Sequence, residues 1–123
     1  MEKKEIVVDP GKKEWETIKI PGIRIKYLHK DEKTGASMAL LQFDKGAGMP
    51  EPHLHASNQF MYVIKGRFSY PGIEVKEGMM YINPKDHVHG PSKALEDSLV
   101  LEIYDGPHYP QKPDWYADER DAH

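Results

Sequence analysis

Twenty of the 123 residues are glycine or proline, ten of each, and they are spread along the whole chain. No run of twelve residues presents an apolar stripe at helical spacing without one of them inside it. Glycine is entropically costly inside a helix and proline removes a backbone donor, so both interrupt helices. Scattered in this way, they punctuate short elements and do not form a low-complexity linker. An all-β chain with many turns is therefore expected, forming a single domain over residues 1–123.

The strands can be placed by their period of two. Ile23 to Leu28 alternates apolar and polar for most of its length, as a half-buried strand does. Ser37 to Phe43, Gln59 to Lys65 and Ser98 to Tyr104 read as further strands. Arg67 to Tyr70 and Ile73 to Val75 flank Pro71-Gly72, a hairpin signal. Met79 to Ile82 and a short strand from His87 to His89 complete the set. Eight or nine short strands at this spacing predict a sandwich or barrel. Residues 1–17 form a charged arm, and residues 105–123 an extended tail with Pro107, Pro110 and Pro113 beside Tyr109, Trp115 and Tyr116.

Several functions are excluded early. Without cysteine there is no disulfide framework, thiolate zinc site, iron–sulfur cluster or cysteine nucleophile. The longest uninterrupted apolar stretch is Phe60 to Ile64, far short of the ~20 residues that cross a bilayer. The net charge is −3 and only Arg24, Arg67 and Arg120 are arginines, so no basic stripe marks a nucleic-acid partner. The first residues, Met1-Glu2-Lys3-Lys4-Glu5, contain acids and no apolar h-region, and a cytoplasmic location is expected.

The chemistry is carried by histidines. His53-Leu54-His55 and His87-Val88-His89 are two His-x-His pairs. In a strand, residues i and i+2 point the same way, so each pair aims two imidazoles into one space. Neutral imidazole is the commonest side-chain metal ligand, and a third ligand must then arrive from a different strand. The surroundings read Gly46 or Gly48, His53-x-His55, x3, Gln59, x6, Gly66, followed by Gly78, x5, Pro84, x4, His89. This resembles the two motifs of the cupin superfamily, G-x5-H-x-H-x3-4-E-x6-G and G-x5-P-x-G-x2-H-x3-N, over residues 37 to 104. Asp86 and Lys93 stand where the second motif has glycine and asparagine. An Asp in a turn can adopt the backbone angles of glycine.

The resemblance implies a cupin-type double-stranded β-helix, or jelly-roll barrel, that binds one divalent metal ion. It makes His53, His55 and His89 the ligands and puts Gln59 at the family's glutamate position. Gln59 either ligates directly or hydrogen-bonds to the ligands. His87 shares a strand face with His89 and is the alternative third ligand. Three imidazoles without cysteine suit Fe(II) first, with Mn(II), Ni(II), Cu(II) or Zn(II) as alternatives.

Parity from Gln59 places Met61 and Val63 on the metal side and Phe60, Tyr62 and Ile64 on the other. With Met49 before the first ligands and Met79 or Met80 before the third, the pocket is expected to be apolar and methionine-lined. Glu102 and Tyr104 share one face of the last strand, which is either solvent-exposed or part of the pocket wall. In the second case Glu102, Tyr104 and His87 are the candidate acid–base residues. A small keto, enol or phenolic substrate suits such a pocket. The expected activity is that of a metal-dependent dioxygenase, with a metal-dependent isomerase or lyase, or a non-catalytic ligand-binding cupin, as alternatives. The N-terminal Ile6-Val7-Val8, Trp15 and the aromatic tail predict a homodimer with arms or tails crossing the interface.

Overall fold

The computed structural model describes residues 4–108. After a single 3-10 turn, Pro10–Lys12, the described chain consists of strands. They are β1 (Glu16–Thr17), β2 (Ile23–Lys30), β3 (Ser37–Phe43), β4 (Gln59–Lys65), β5 (Arg67–Tyr70), β6 (Ile73–Lys76), β7 (Met80–Asn83), β8 (Lys93–Ala94) and β9 (Ser98–Tyr104). Six form one antiparallel sheet in the order β1-β2-β3-β9-β4-β7, and three form a second in the order β6-β5-β8. This is the all-β architecture of two antiparallel sheets that the sequence leads one to expect. No described helix is long and apolar enough to cross a membrane.

The two sheets face each other across one core. Alternation along β9 is complete, with Ser98, Val100, Glu102 and Tyr104 buried and Leu99, Leu101 and Ile103 half-buried. Val63 and Val100 from the large sheet and Phe68 and Val75 from the small one are at most 3% exposed. Each such side chain contributes roughly 1.5–3 kcal/mol by leaving water. Phe43 and Phe68 meet edge to face across the gap, with ring centroids 4.7 Å apart. The tight turn from β4 to β5 needs glycine at 66. Its φ is +103°, and a Cβ there would run into Ser98.

Four strands match their expected bounds, while β2 and β6 run further, to Lys30 and Lys76, and β7 starts one residue later, at Met80. The expected strand at 87–89 is absent. Asp86 adopts φ +63°, as foreseen for the position where the motif has glycine, and the chain turns there. Only His89 is extended, in an isolated bridge to His53. The N-terminal arm lies on its own barrel. Lys26 Nζ donates to the Pro10 carbonyl at 2.8 Å and sits over the Trp15 ring. Of the expected C-terminal tail, residues 109–123 lie outside the described residues.

Candidate metal centre

Two loops and two strands build the site. His53 and His55 come from the loop before β4, and His89 from the loop between β7 and β8. The loops are joined by a reciprocal pair of backbone hydrogen bonds: His53 N–H donates to His89 O at 2.9 Å, and His89 N–H to His53 O at 2.8 Å. Asp86 N–H adds a bond to His55 O at 3.0 Å. Ligand atoms of the three imidazoles then lie within 4.8 Å of one another. Strand register supplies the opposite wall, because Gln59 pairs with Tyr104 and Met61 with Glu102. The small Ser37 and Ala39 oppose Tyr104 and Glu102 from β3 and leave room for them.

Each ring is held at Nδ1 by a partner outside the cluster. Two of these partners are carbonyls, Glu51 O for His53 (2.8 Å) and His108 O for His55 (3.0 Å). A carbonyl only accepts, so both rings carry their proton on Nδ1 and present Nε2 as a lone pair. His89 Nδ1 is 3.0 Å from the Tyr81 hydroxyl, and its Nε2 is 3.0 Å from His55 Nε2. Without a cation, His89 must donate from Nε2 to His55. With one, its proton sits on Nδ1 and is donated to Tyr81 Oη, freeing the third lone pair. The donor set, three imidazole nitrogens gathered in one cluster, could hold a divalent ion.

Electrostatics point the same way. Burial pushes His55 down to about 3 and His89 to about 4, helped by the neighbouring imidazoles, and lowers His53 too. The three imidazoles are neutral at physiological pH, so a cation displaces no proton from them on binding.

Gln59 is 4% exposed. Its Nε2 donates to Glu102 Oε2 at 2.9 Å and to Tyr104 Oη at 3.0 Å. Its Oε1 is a buried acceptor without a partner, a state that costs ~1–3 kcal/mol unless something in the cavity satisfies it. Burial raises the Glu102 carboxyl to about 7, against the opposing hydrogen bonds from Gln59 and Tyr104. The Tyr104 hydroxyl is also 3.5 Å from His55 Nε2. Glu102 and Tyr104 thus occupy the pocket wall and not an exposed face.

The three imidazoles, Gln59, Glu102 and Tyr104 surround a cavity of about 20 Å³, with Met49, Met61 and Tyr70 among its apolar walls. That volume holds about one water molecule. An open cleft of about 700 Å³ adjoins it and shares Met49, Tyr70 and Ser92 as a common wall. Among the described residues, Lys93 is the single charged side chain lining that cleft.

Four residues expected at the site lie elsewhere. His87 is exposed, its Nδ1 3.0 Å from Asn83 Oδ1, and outside the cluster; the turn at Asp86 voids the parity that joined it to His89. Val63 is fully buried in the core beside the cavity and does not line it. Met79 and Met80 are 42% and 51% exposed on the outer surface, so the methionine lining reduces to Met49 and Met61. Tyr81 and the carbonyls of Glu51 and His108, which orient the three rings, were not singled out from sequence. Main-chain carbonyls leave no residue-type signal, and Tyr81 is recognisable only once β7 is registered against β4.

A family model of the ChrR cupin-like domain matches residues 3–108. No curated protein matches the chain. Among solved structures, KdgF from Halomonas sp. is 27% identical, with TM-score 0.71, over 87% of this chain and 97% of that one. A proposed acetylacetone dioxygenase from Methylibium petroleiphilum PM1 is 20% identical, with TM-score 0.79, over 96% and 88%. A chain in the Rhodobacter sphaeroides complex of SigE with the anti-sigma ChrR is 23% identical, with TM-score 0.65, over 76% and 50%. At those identities the last two establish likeness of fold.

Proposed function

Because the chain belongs to the ChrR cupin-like domain family, we propose that it is a metal-dependent enzyme, a dioxygenase acting on a small keto, enol or phenolic substrate. The observation that carries this reading is the engagement of Gln59 by Glu102 and Tyr104. It leaves three neutral imidazoles on one face and no carboxylate committed to the opposite one. Iron(II) held by His53, His55 and His89 would supply electron transfer between a chelated substrate oxygen and O2.

The chain's own groups do the rest. Glu102, titrating near neutrality, is the base that takes the enol or phenol proton of the arriving substrate. Gln59 Oε1 accepts a hydrogen bond from a substrate hydroxyl or water, and Tyr104 holds the amide in place. Phe43, Met61 and Phe68 keep bulk water from the reacting end. The 20 Å³ cavity admits only that end, so the body of the substrate lies in the adjoining cleft, against Met49, Tyr70 and Ser92.

The raised Glu102 carboxyl favours one rival, an isomerase or lyase in which proton transfer is the whole reaction. A sealed-cell assay separates the two. Iron-loaded protein is screened against small β-diketones, enols and phenols, with O2 and product followed together. O2 consumed in step with substrate supports the dioxygenase; product formed at the same rate under nitrogen overturns it in favour of the isomerase or lyase.

A further inference from the structure

The segment that follows β9 lies along the segment that precedes β4. The two strands are antiparallel neighbours and Gln59 pairs with Tyr104, so register sets Asn58 against Asp105 just beyond the strand ends. Each residue from His55 to Asn58 bonds to the stretch 105–108. His55 Nδ1–H and Ala56 N–H both donate to His108 O at 3.0 Å. Ser57 Oγ–H donates to Pro107 O at 2.7 Å. Asn58 N–H and Nδ2–H donate to Asp105 Oδ1 and Oδ2, each at 2.9 Å. Asp105 N–H returns a bond to Asn58 O at 3.3 Å. The close approach needs a glycine at 106, where a Cβ would stand 3.0 Å from Ser57 Cβ. The Asn58 side chain has a second task. Its Oδ1 accepts from Lys85 N–H at 2.8 Å, in the loop that leads to His89. One amide thus ties both histidine loops to the segment after β9.

This stretch also reaches the site. The His108 carbonyl is the acceptor that keeps the His55 proton on Nδ1 and leaves Nε2 as a lone pair. The His108 ring, on a residue 7% exposed, packs edge-on against Tyr104 with centroids 3.8 Å apart. The main-chain bonds between His53 and His89 set the spacing of the loops but do not touch the His55 ring. From this arrangement we propose that Asn58 and Asp105 are positioning residues of the metal centre. By clasping residues 105–108 to the ligand loop, they fix the tautomer and orientation of His55 and so set the affinity for the ion. The proposal rests on the reading of the three imidazoles as a metal centre and not on the reaction assigned to it. Loss of a partner behind a ligand lowers metal affinity by about 10- to 100-fold.

Exchanging the two side chains tests this. Asn58→Asp alone sets two carboxylates against each other at about the 2.9 Å of the native pair. Asp105→Asn alone puts an amide N–H against a donor of Asn58, whichever way the new amide is turned. In the double swap Asn58→Asp, Asp105→Asn, the carboxylate at 58 accepts from Lys85 N–H and from the amide at 105. The oxygen of that amide accepts the N–H of residue 58. Every bond of the clasp is then remade at the wild-type net charge. Co(II) is titrated into the metal-free full chain in competition with a chromogenic chelator, and nitrogen-15 NMR reads the His55 tautomer before metal is added. Each single variant should bind Co(II) about 10- to 100-fold more weakly and lose the pure Nδ1–H form of His55; the swap should restore both. A general charge effect would strengthen binding in Asn58→Asp, weaken it in Asp105→Asn and leave the tautomer alone, and that pattern overturns the proposal. Single variants that match wild type, or a swap that is as weak as they are or does not fold, overturn it too. If a single variant does not fold by circular dichroism, Asp105→Ala, which deletes the acceptors and adds no repulsion, takes its place with the same loss expected. A wild-type chain that takes up no Co(II) overturns the metal centre itself and this proposal with it, a failure distinct from the others.

Discussion

Replacing Glu102 by Gln removes one ionisable group from the cavity wall and keeps its shape. The Gln59 amide donates to the Glu102 carboxylate at 2.9 Å, and a glutamine oxygen at 102 can accept the same bond. In the native fold, burial raises this carboxyl from 4.5 to about 7. Between those values the folded protein keeps a proton that the unfolded chain has released. Native binding of the extra proton makes stability fall as pH rises through this window, and the loss is complete above pH 7. Two and a half units at 1.36 kcal/mol each amount to about 3 kcal/mol. His55 and His89, lowered to about 3 and about 4, act oppositely, since stability is lost as pH falls below 6.5. They are common to both proteins and cancel in the difference. Urea unfolding of the metal-free protein at pH 5, 6, 7 and 8, followed by tryptophan fluorescence, gives the two curves; a chelator is needed because a bound cation would favour the carboxylate. The stability of Glu102→Gln relative to wild type should climb by about 3 kcal/mol between pH 4.5 and 7 and then level off. Parallel curves would mean that Glu102 is solvated in solution and that its role as a base near neutrality is wrong.

Three further outcomes are expected. Ala at both His53 and His55 should abolish metal retention, measured by elemental analysis, whereas His87→Ala should retain a full complement because that ring lies outside the cluster. Tyr81→Phe removes the acceptor for the His89 Nδ1 proton, and competition with a chromogenic chelator should read a metal affinity about 10- to 100-fold lower. Gln59→Glu puts a second carboxyl about 2.9 Å from Glu102, so the pair shares a proton that a cation must displace. Its metal affinity should therefore rise more steeply with pH than that of wild type, and equal slopes would place Gln59 apart from Glu102 in solution.

The sequence was most legible where short apolar runs end at polar turns or glycine: Ser37–Phe43, Gln59–Lys65, Arg67–Tyr70 and Ser98–Tyr104 form strands at those limits. The resemblance to the cupin motifs implied His53, His55 and His89 together, and the structure brings those three imidazoles into one cluster. Parity failed where the chain was not a strand. The turn at Asp86 sends His87 outward, although it is two residues from His89. Parity also does not say which face of a strand is inside, so Glu102 and Tyr104 stayed ambiguous until β9 was placed between β3 and β4. The apolar outer face of the large sheet belongs to the same class. Phe60, Tyr62 and Ile64 are plain in the sequence, but their continuity with Leu101, Ile103, Met80 and Ile82 depends on register between strands distant in the chain.

The reciprocal bond pair between His53 and His89 is made by main-chain atoms alone. A main-chain stitch is indifferent to side-chain identity and to whether an ion is present. The two histidine loops are thus joined as part of folding, and an ion held by them would arrive as cargo on a finished frame. Chelation should then strip the ion and leave the frame standing, so exchange of one metal for another proceeds without refolding. The same stitch allows the ligand positions to be substituted one at a time while the spacing between the loops is kept.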